Sequence, residues 1–279
     1  MNRVVVLKIE EYTSKALQKK IGDALMQYFS LKELFPPKDQ VLLKPNLLME
    51  SLPEEAIVTH PLFIEAVGRI FKKLGCSVCI ADSPGGFISK KDVDGVYQGT
   101  GVKEVADRNG FELLYPTHSI VHKNLPLCWW THASALPQGP GEFYKSPFKM
   151  VNLPKLKTHD IMVLTLAVKN LYGCISGIYK SHIHRQHPTT DDLAKVILGL
   201  YKNIKPSLNI VDGILSLEGE GPAKKGRPRK LNIVVIGDDA LSTDYVIGRF
   251  LGLSDAMHPL IKRANAGRHL ERRRSGGNF

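Results

Sequence analysis

Short apolar segments alternate with longer amphipathic ones along this chain of 279 residues, and this alternation constrains the fold most. Segments such as RVVVLKI, QVLLKPN and FKMVNLP have the length and the aliphatic content of buried strands. The segment HPLFIEAVGRIFKKLG has helical periodicity, with Pro61 in its first turn and Gly75 at its end. The alternation predicts an α/β fold with a mainly parallel sheet and helices on both faces.

The same patterns predict the extent of each element. We predict strands over residues 3–9, 40–46, 77–86, 111–116, 148–154, 207–219 and 231–237. We predict helices over residues 14–35, 60–75, 101–110, 161–173, 190–204, 242–252 and 255–267. Residues 117–147, rich in proline, fit neither pattern. We therefore expect a single domain over 1–279, with any boundary between two sub-domains inside 117–147, and a flexible basic tail over 268–279.

Composition excludes several classes of protein. Hydrophobic residues make up 43% of the chain and charged residues 23%, which is typical of a globular protein. No apolar segment reaches the roughly 18 residues that a membrane span needs. The start, MNRVVVLKIEEY, lacks the features of a secretory signal. We predict a cytoplasmic protein without a membrane partner.

The cysteines do not form a metal-binding pattern. Cys76 and Cys79 make a C-x-x-C pair, but they fall in a predicted strand, where positions three apart face opposite sides. With Cys128 and Cys174 as the other cysteines, there is no second pair to complete a zinc or iron–sulfur site. We expect buried thiols and no iron–sulfur cluster in this chain.

The positive charge is concentrated near the C-terminus. Residues 224–279 hold 12 lysine and arginine residues against 5 acidic ones, within a total net charge of +11. The runs KKGRPRK and ERRRSGGNF suit nucleic acid or an acidic partner, but they lack interleaved aromatic residues. Nucleic-acid binding is therefore the least favoured function.

Polar side chains follow the ends of five predicted strands. In parallel α/β sheets, ligands bind at the carboxyl ends of the strands. The residues at these ends are Lys44 and Asn46, Asp82 and Ser83, Lys155 to His159, Asp212, and Asp238 with Asp239. This coincidence predicts a site for a small anionic ligand or a cofactor.

The segment LPKLKTHDIMVLTLAVKN supplies the densest group of cations. In an extended chain Lys155, Lys157 and His159 point to one side. We expect Asp160 to cap the next helix, whose amino end would favour a phosphate or a carboxylate. Lys169 either extends to solvent or lies in the site as a base or nucleophile.

These observations define the candidate residues. The catalytic candidates are His159 and Lys169. The ligand-binding candidates are Lys44, Asn46, Asp82, Ser83, Lys155, Lys157, Asn170, Asp212, Glu218 and Asp244.

A histidine-rich segment, SHIHRQH, follows the lysine-rich one. If it is extended, His182 and His184 share one side, with His187 nearby, and histidine is a common ligand of transition metals. The alternative is a polar loop that covers the site. The glycine-rich EGEGPAKKG, which contains Glu218, matches no nucleotide-binding fingerprint.

Several motifs together resemble one family. VLLKPNLL, THP, IADSPGG, NLPKLKTH followed by TLAVKNLYGC, VDGILSLEGEGPAKKGRP and GDDALSTDYVIGRFLG occur in this order from about Lys8 to Gly252. They resemble domain-of-unknown-function family 362. Many members carry a ferredoxin-like module with clustered cysteines, so the resemblance implies a separate ferredoxin-type partner for this chain. Ala240 stands where the family usually has proline.

The layout is also similar, more distantly, to the nickel-pincer lactate racemases. In those enzymes a lysine ten residues after a histidine carries a nickel-containing cofactor, and His159 and Lys169 have this spacing. The likeness implies a covalent cofactor on Lys169, proton transfer by His159, and a metal ligand at His182 or His184. VLTLAV replaces the glycine-rich turn of the racemases.

Three functions follow as hypotheses. The first is an enzyme of anaerobic-type metabolism, an isomerase or an oxidoreductase component, acting on a small anionic ligand. The second is an accessory protein that binds a metal or a cofactor without catalysis. The third is nucleic-acid binding through the basic C-terminal third.

Overall fold

A computed structural model describes residues 2–86, 89–116, 148–175 and 177–275. Within these ranges, nine strands form a sheet whose main order is β1-β9-β8-β5-β2-β3-β4, with β6 beside β8 and β7 beside β6. The strands are β1 (Val4–Lys8), β2 (Gln40–Pro45), β3 (Ser77–Ile80), β4 (Glu112–Leu113), β5 (Phe148–Leu153), β6 (Lys155–His159), β7 (Val163–Thr165), β8 (Leu208–Gly219) and β9 (Gly226–Gly237). Strands β2, β3, β4, β5 and β8 run parallel. The predicted α/β fold with a mainly parallel sheet is confirmed.

Helices cover both faces of the parallel strands. The helices are α1 (Ser14–Tyr28), α2 (Leu31–Leu34), α3 (Pro61–Lys73), α4 (Lys90–Gly99), α5 (Val102–Asn109), α6 (Ala167–Asn170), α7 (Gly177–Gln186), α8 (Thr190–Ile204), α9 (Ala240–Phe250) and α10 (Pro259–Ser275). Val41 and Leu43 of β2 pack in the core that includes α1 and α3, whereas Leu42 packs toward Tyr201 of α8. Burial on both faces explains why these strands are continuously apolar rather than alternating.

The long strand β8 extends the sheet beyond the carboxyl end of β5. Its first residues pair with β5 at Val151, and its later residues pair with Lys155 and Lys157 of β6. Strand β6 then turns back through residues 160–162 and pairs antiparallel with β7. The lysine-rich segment therefore lies directly above the end of the parallel strands.

Some sequence-based assignments were wrong. Residues 161–173, predicted as one helix, form a turn, β7, the four-residue α6 and a 3-10 turn, so Asp160 caps no helix. The predicted helix over 14–35 is two helices, because Ser30 has a φ of +46° between them. The histidine-rich segment is part of α7 rather than an extended loop. Helix α4 was not predicted.

Three further predictions concern the middle of the chain, its C-terminal tail and the cysteines. The sub-domain boundary within 117–147 lies outside the described residues. The first part of the predicted tail over 268–279 belongs to α10, and its flexibility stays a prediction. Cys76, Cys79 and Cys174 are buried, while Cys128 is outside the described ranges. Among the described residues, no helix combines the length and the apolarity needed to cross a membrane.

Candidate functional site

The site begins with an ion pair at the ends of β2 and β3. Lys44 Nζ lies 2.7 Å from Asp82 Oδ1, and both side chains are buried. The backbone amide of Leu47 donates to Asp82 Oδ2 at 2.7 Å. Gly173 packs so closely that a Cβ there would lie 2.6 Å from Lys44 Nζ. The pair is thus a closed contact under the 3-10 turn that follows α6.

Lys155 belongs to a second closed network. Its Nζ lies 2.8 Å from Asp212 Oδ2, and both side chains are fully buried. Tyr12 donates its hydroxyl to Asp212 Oδ1 at 2.6 Å and accepts from Lys155 Nζ at 3.0 Å. The backbone amide of His60 donates to Asp212, and the backbone amide of Leu215 donates to the Tyr12 hydroxyl group. This network neutralises the Lys155 charge and ties residue 12 to the sheet.

Lys157 and Lys169 are buried and have no carboxylate partner among the described residues. Among the described residues, Lys157 Nζ donates only to the carbonyl oxygen of Ile57, at 2.7 Å. Lys169 is 8% exposed, and its Nζ lies 4.4 Å from the centre of the Tyr172 ring. Within the described part of the chain, Lys169 Nζ has no hydrogen-bond acceptor and no carboxylate within 4.0 Å.

Burial and like charge destabilise the protonated form of both lysines. Burial, followed by the charges of Lys169 and Lys155, lowers the pKa of Lys157 to about 7. Burial and the charges of Lys180 and Lys44 lower the pKa of Lys169 to about 7, although Asp160 opposes the shift. Near neutral pH each lysine therefore exists partly as a free amine.

Lys180 adds a cation from α7. Its Nζ donates to the backbone carbonyl oxygens of Ser83 and Pro84, the latter at 3.0 Å. Burial lowers its pKa to about 8, although Asp82 opposes the shift. Ser83, a predicted ligand residue, thus contributes its carbonyl oxygen to this contact, and its hydroxyl group lies 3.5 Å from the Pro84 carbonyl oxygen.

His159 ends β6 at the edge of this lysine cluster. Its Nδ1 lies 2.8 Å from Asp160 Oδ1 and within 3.3 Å of the backbone amides of Ile161 and Met162. Burial and the charge of Lys169 lower the pKa of His159 to about 3, so the ring is neutral near pH 7. Since Nδ1 is engaged, Nε2 is the ring nitrogen that can face a ligand.

A ladder of four asparagine side chains crosses the site. Each amide nitrogen donates to the next residue: Asn46 to Asn170 at 2.9 Å, Asn170 to Asn152 at 2.8 Å, Asn152 to Asn209 at 2.9 Å, and Asn209 to the carbonyl oxygen of Gly237 at 3.3 Å. In Asn46, the first residue of this ladder, the Oδ1 atom is buried and has no hydrogen-bond partner in the described ranges. This oxygen is a hydrogen-bond acceptor that a ligand could satisfy.

Asp244 of α9 holds the start of α6. Its two carboxylate oxygens accept from the amides of Ala167 and Val168 at 2.7 and 3.0 Å. Burial raises the pKa of Asp244 to about 8, while these two amide hydrogen bonds act against the rise. Asp244 therefore positions the turn that carries Lys169 and Asn170.

Of the remaining candidates, His184 lies beside the cluster, since burial and the charge of Lys169 lower its pKa. Glu218 pairs with Arg229 at 2.6 Å on the β8–β9 hairpin. In α7, His182 is exposed, whereas His184 is half-buried against the Tyr172 ring. In the described ranges, no group of three His, Cys, Asp or Glu side chains is arranged to hold a metal ion. Metal binding by His182, His184 and His187 stays a prediction, as does a cofactor on Lys169.

Sequence reasoning missed Tyr12, Lys180, Asn152 and Asn209. Lys180 was missed because its helix was interpreted as a loop, and Tyr12 because nothing near it in the sequence indicates a distant carboxylate.

Two surface cavities, of about 220 and 550 Å³, lie elsewhere. The smaller is at the opposite ends of β2 and β3, and the larger is between α1 and α3.

Most of this sequence is similar to known proteins. A family model described as Domain of unknown function (DUF362) matches residues 41–249. The chain is 28% identical over 264 residues to Thylakoid-associated protein sll1697 of Synechocystis sp., with 92% of this chain and 77% of that protein covered. No solved structure gives a significant match. The family match spans the cluster from Lys44 to Asp244 but leaves out Tyr12.

Proposed function

We propose that this chain, which belongs to the DUF362 family, binds a small anionic metabolite and transfers a proton to or from it. The description of the family names no reaction, so the proposal is drawn from the lysine cluster. The observation that supports the proposal is the pair of buried lysines, Lys157 and Lys169, that have no carboxylate partner in the described structure. A buried, un-neutralised cation is unfavourable. A phosphate or carboxylate between these lysines would supply the missing counter-charge.

The roles of the neighbouring groups follow from their chemistry. Lys157, Lys169 and Lys180 would attract the anion, and the unpaired Asn46 Oδ1 would accept a hydrogen bond from a hydroxyl group of the ligand. His159 has a neutral ring near pH 7, and its Nδ1 accepts from two backbone amides, so it would donate a proton to the ligand from Nε2. Such a site suits isomerisation, or a redox reaction that begins with removal of a proton.

Anion binding can be tested directly by calorimetric titration with inorganic phosphate and with succinate at constant ionic strength. We expect wild-type protein to bind at least one of them and Lys169→Met to lose at least about tenfold in affinity, or about 1.4 kcal/mol. Lys19→Met, which removes an exposed lysine, is the matched control. Equal binding by wild type and Lys169→Met would contradict the proposal.

Proton transfer can be tested before the reaction is known. Candidate carboxylates and keto phosphates are incubated with the protein in D₂O, and NMR follows deuterium exchange at the carbon next to the carbonyl group. We expect exchange with wild type and its loss in His159→Ala, which should retain anion binding. Binding without exchange by the wild type would favour a non-catalytic accessory protein instead.

A further inference from the structure

Lys169 differs from Lys157 and Lys180, the neighbouring lysines of the cluster, in what its amine contacts. Lys157 and Lys180 both donate to backbone carbonyl oxygens. Such acceptors favour the protonated ammonium, which has hydrogens to give. Among the described residues, Lys169 Nζ has only the face of the Tyr172 ring, 4.4 Å away.

The surroundings of Lys169 favour the neutral amine. Its side chain is 8% exposed, and the charges of Lys180 and Lys44 act against protonation. A desolvated lysine beside other cations is the arrangement that activates an amine as a nucleophile. The same cations would bind an anionic group next to the atom under attack.

We propose that Lys169 forms a Schiff base with a ketone that carries an adjacent anionic group, a 2-oxo acid or a keto phosphate. This inference rests on the proposed anion site and names its substrate class. Covalent attachment would hold the carbonyl carbon at Lys169 while Lys157 and Lys180 bind the carboxylate or phosphate.

The chemistry balances without an oxidant or a reductant. The lone pair of Lys169 Nζ attacks the carbonyl carbon, a C–N bond forms, and the C=O π electrons move to oxygen. One amine proton passes to that oxygen, giving a neutral carbinolamine. A second proton, taken from solvent, lets the oxygen leave as water, and the nitrogen lone pair forms the C=N bond of a cationic iminium.

Reductive trapping tests the inference. Wild-type protein is incubated near neutral pH with sodium cyanoborohydride and either pyruvate or dihydroxyacetone phosphate, and peptide mass spectrometry locates the reduced adduct. Exposed lysines are almost entirely protonated at this pH, so we expect occupancy at Lys169 at least about tenfold above that at Lys19. The two probes distinguish a carboxylate substrate from a phosphate substrate.

Two controls define the result. Acetone offers the same carbonyl without an anionic group and should label Lys169 far less. Lys169→Arg, checked for folding by circular dichroism, should lose the adduct. Equal labelling by acetone would overturn the anionic substrate class.

The outcomes separate this inference from the proposed function. Calorimetric binding of pyruvate or dihydroxyacetone phosphate without an adduct on Lys169 would overturn the Schiff base and leave the anion site standing. Neither binding nor adduct, with these probes, phosphate or succinate, would overturn both. An adduct found only on exposed lysines would also overturn the inference.

Discussion

Lys155 and Lys169 are both buried, yet their surroundings are opposite. Lys155 lies 2.8 Å from the buried carboxylate of Asp212 and is bonded to Tyr12, so its charge is neutralised within the protein. Lys169 has an aromatic face and neighbouring cations. In a buried ion pair the two charges neutralise each other. A buried cation without a partner destabilises the folded protein until a ligand neutralises it or it loses its proton. The difference separates a lysine that is paired within the protein from one that the proposed ligand would neutralise.

Of the substitutions that test this comparison, we expect one at Lys155 to have the largest effect on stability. Lys155→Met leaves Asp212 buried without a cation, and we expect a loss of about 3–5 kcal/mol in the free energy of unfolding. Urea denaturation measures it. The double variant Lys155→Met with Asp212→Asn should recover part of the loss. A loss below about 1 kcal/mol would mean that Lys155 is not a structural lysine.

Gly173 tests the other closed pair. An alanine Cβ would lie 2.6 Å from Lys44 Nζ and even closer to Asp82. We expect Gly173→Ala to lower the free energy of unfolding by about 1–3 kcal/mol, because the Lys44–Asp82 pair must move. Gly199 of α8 is the matched control: a Cβ there meets nothing within 4 Å, so Gly199→Ala should not destabilise the fold.

Lys169 should respond in the opposite direction. Lys169→Met removes an un-neutralised charge and keeps the apolar stem, so we expect a gain of about 1–3 kcal/mol in the ligand-free protein at neutral pH. Lys19→Met should cause no measurable change. If Lys169→Met were as destabilising as Lys155→Met, the two lysines would not differ as described.

The pH dependence of stability gives a signal that is smaller for each pH unit. The pKa of Lys169 is about 7 in the folded protein against an ordinary value of 10.5, so between these pH values the unfolded chain binds more protons. Stability contributed by this group therefore rises with pH across that window, by at most about 1.4 kcal/mol per pH unit. The free energy of unfolding should be measured for wild type and Lys169→Met at several pH values, and the difference between the two proteins should change with pH by this slope. A flat difference would contradict the depressed pKa.

Much of the fold follows from local pattern. Strands β2, β3, β5, β8 and β9 were predicted from apolar runs, and the rule that ligands bind at strand ends selected Lys44, Asp82 and Lys155. These features were predictable because each depends on a few adjacent residues. The hairpin of β6 and β7 was not, because Val163 adopts φ +65°, which a β-branched residue rarely does.

The partners within the site could not be predicted in the same way. Nothing in the sequence distinguishes Lys155, which finds Asp212, from Lys169, which finds no carboxylate in the described structure. The partners of Lys155 come from residues 12 and 212, and the acceptor of Lys157 is at residue 57. Such pairings depend on tertiary packing rather than on spacing.

The contact of Asp244 with α6 has a consequence for the order in which the site is assembled during synthesis. A four-residue helix is far too short to hold its own conformation, and the acceptors for its first amides come from 76 and 77 residues later in the chain. A nascent chain that ends before Asp244 already contains every lysine of the cluster. It lacks the carboxylate that fixes the turn bearing Lys169. The turn that carries Lys169 is therefore fixed only after α9 has been made and docked, whereas the residues that bind Lys155 all precede α9 in the chain.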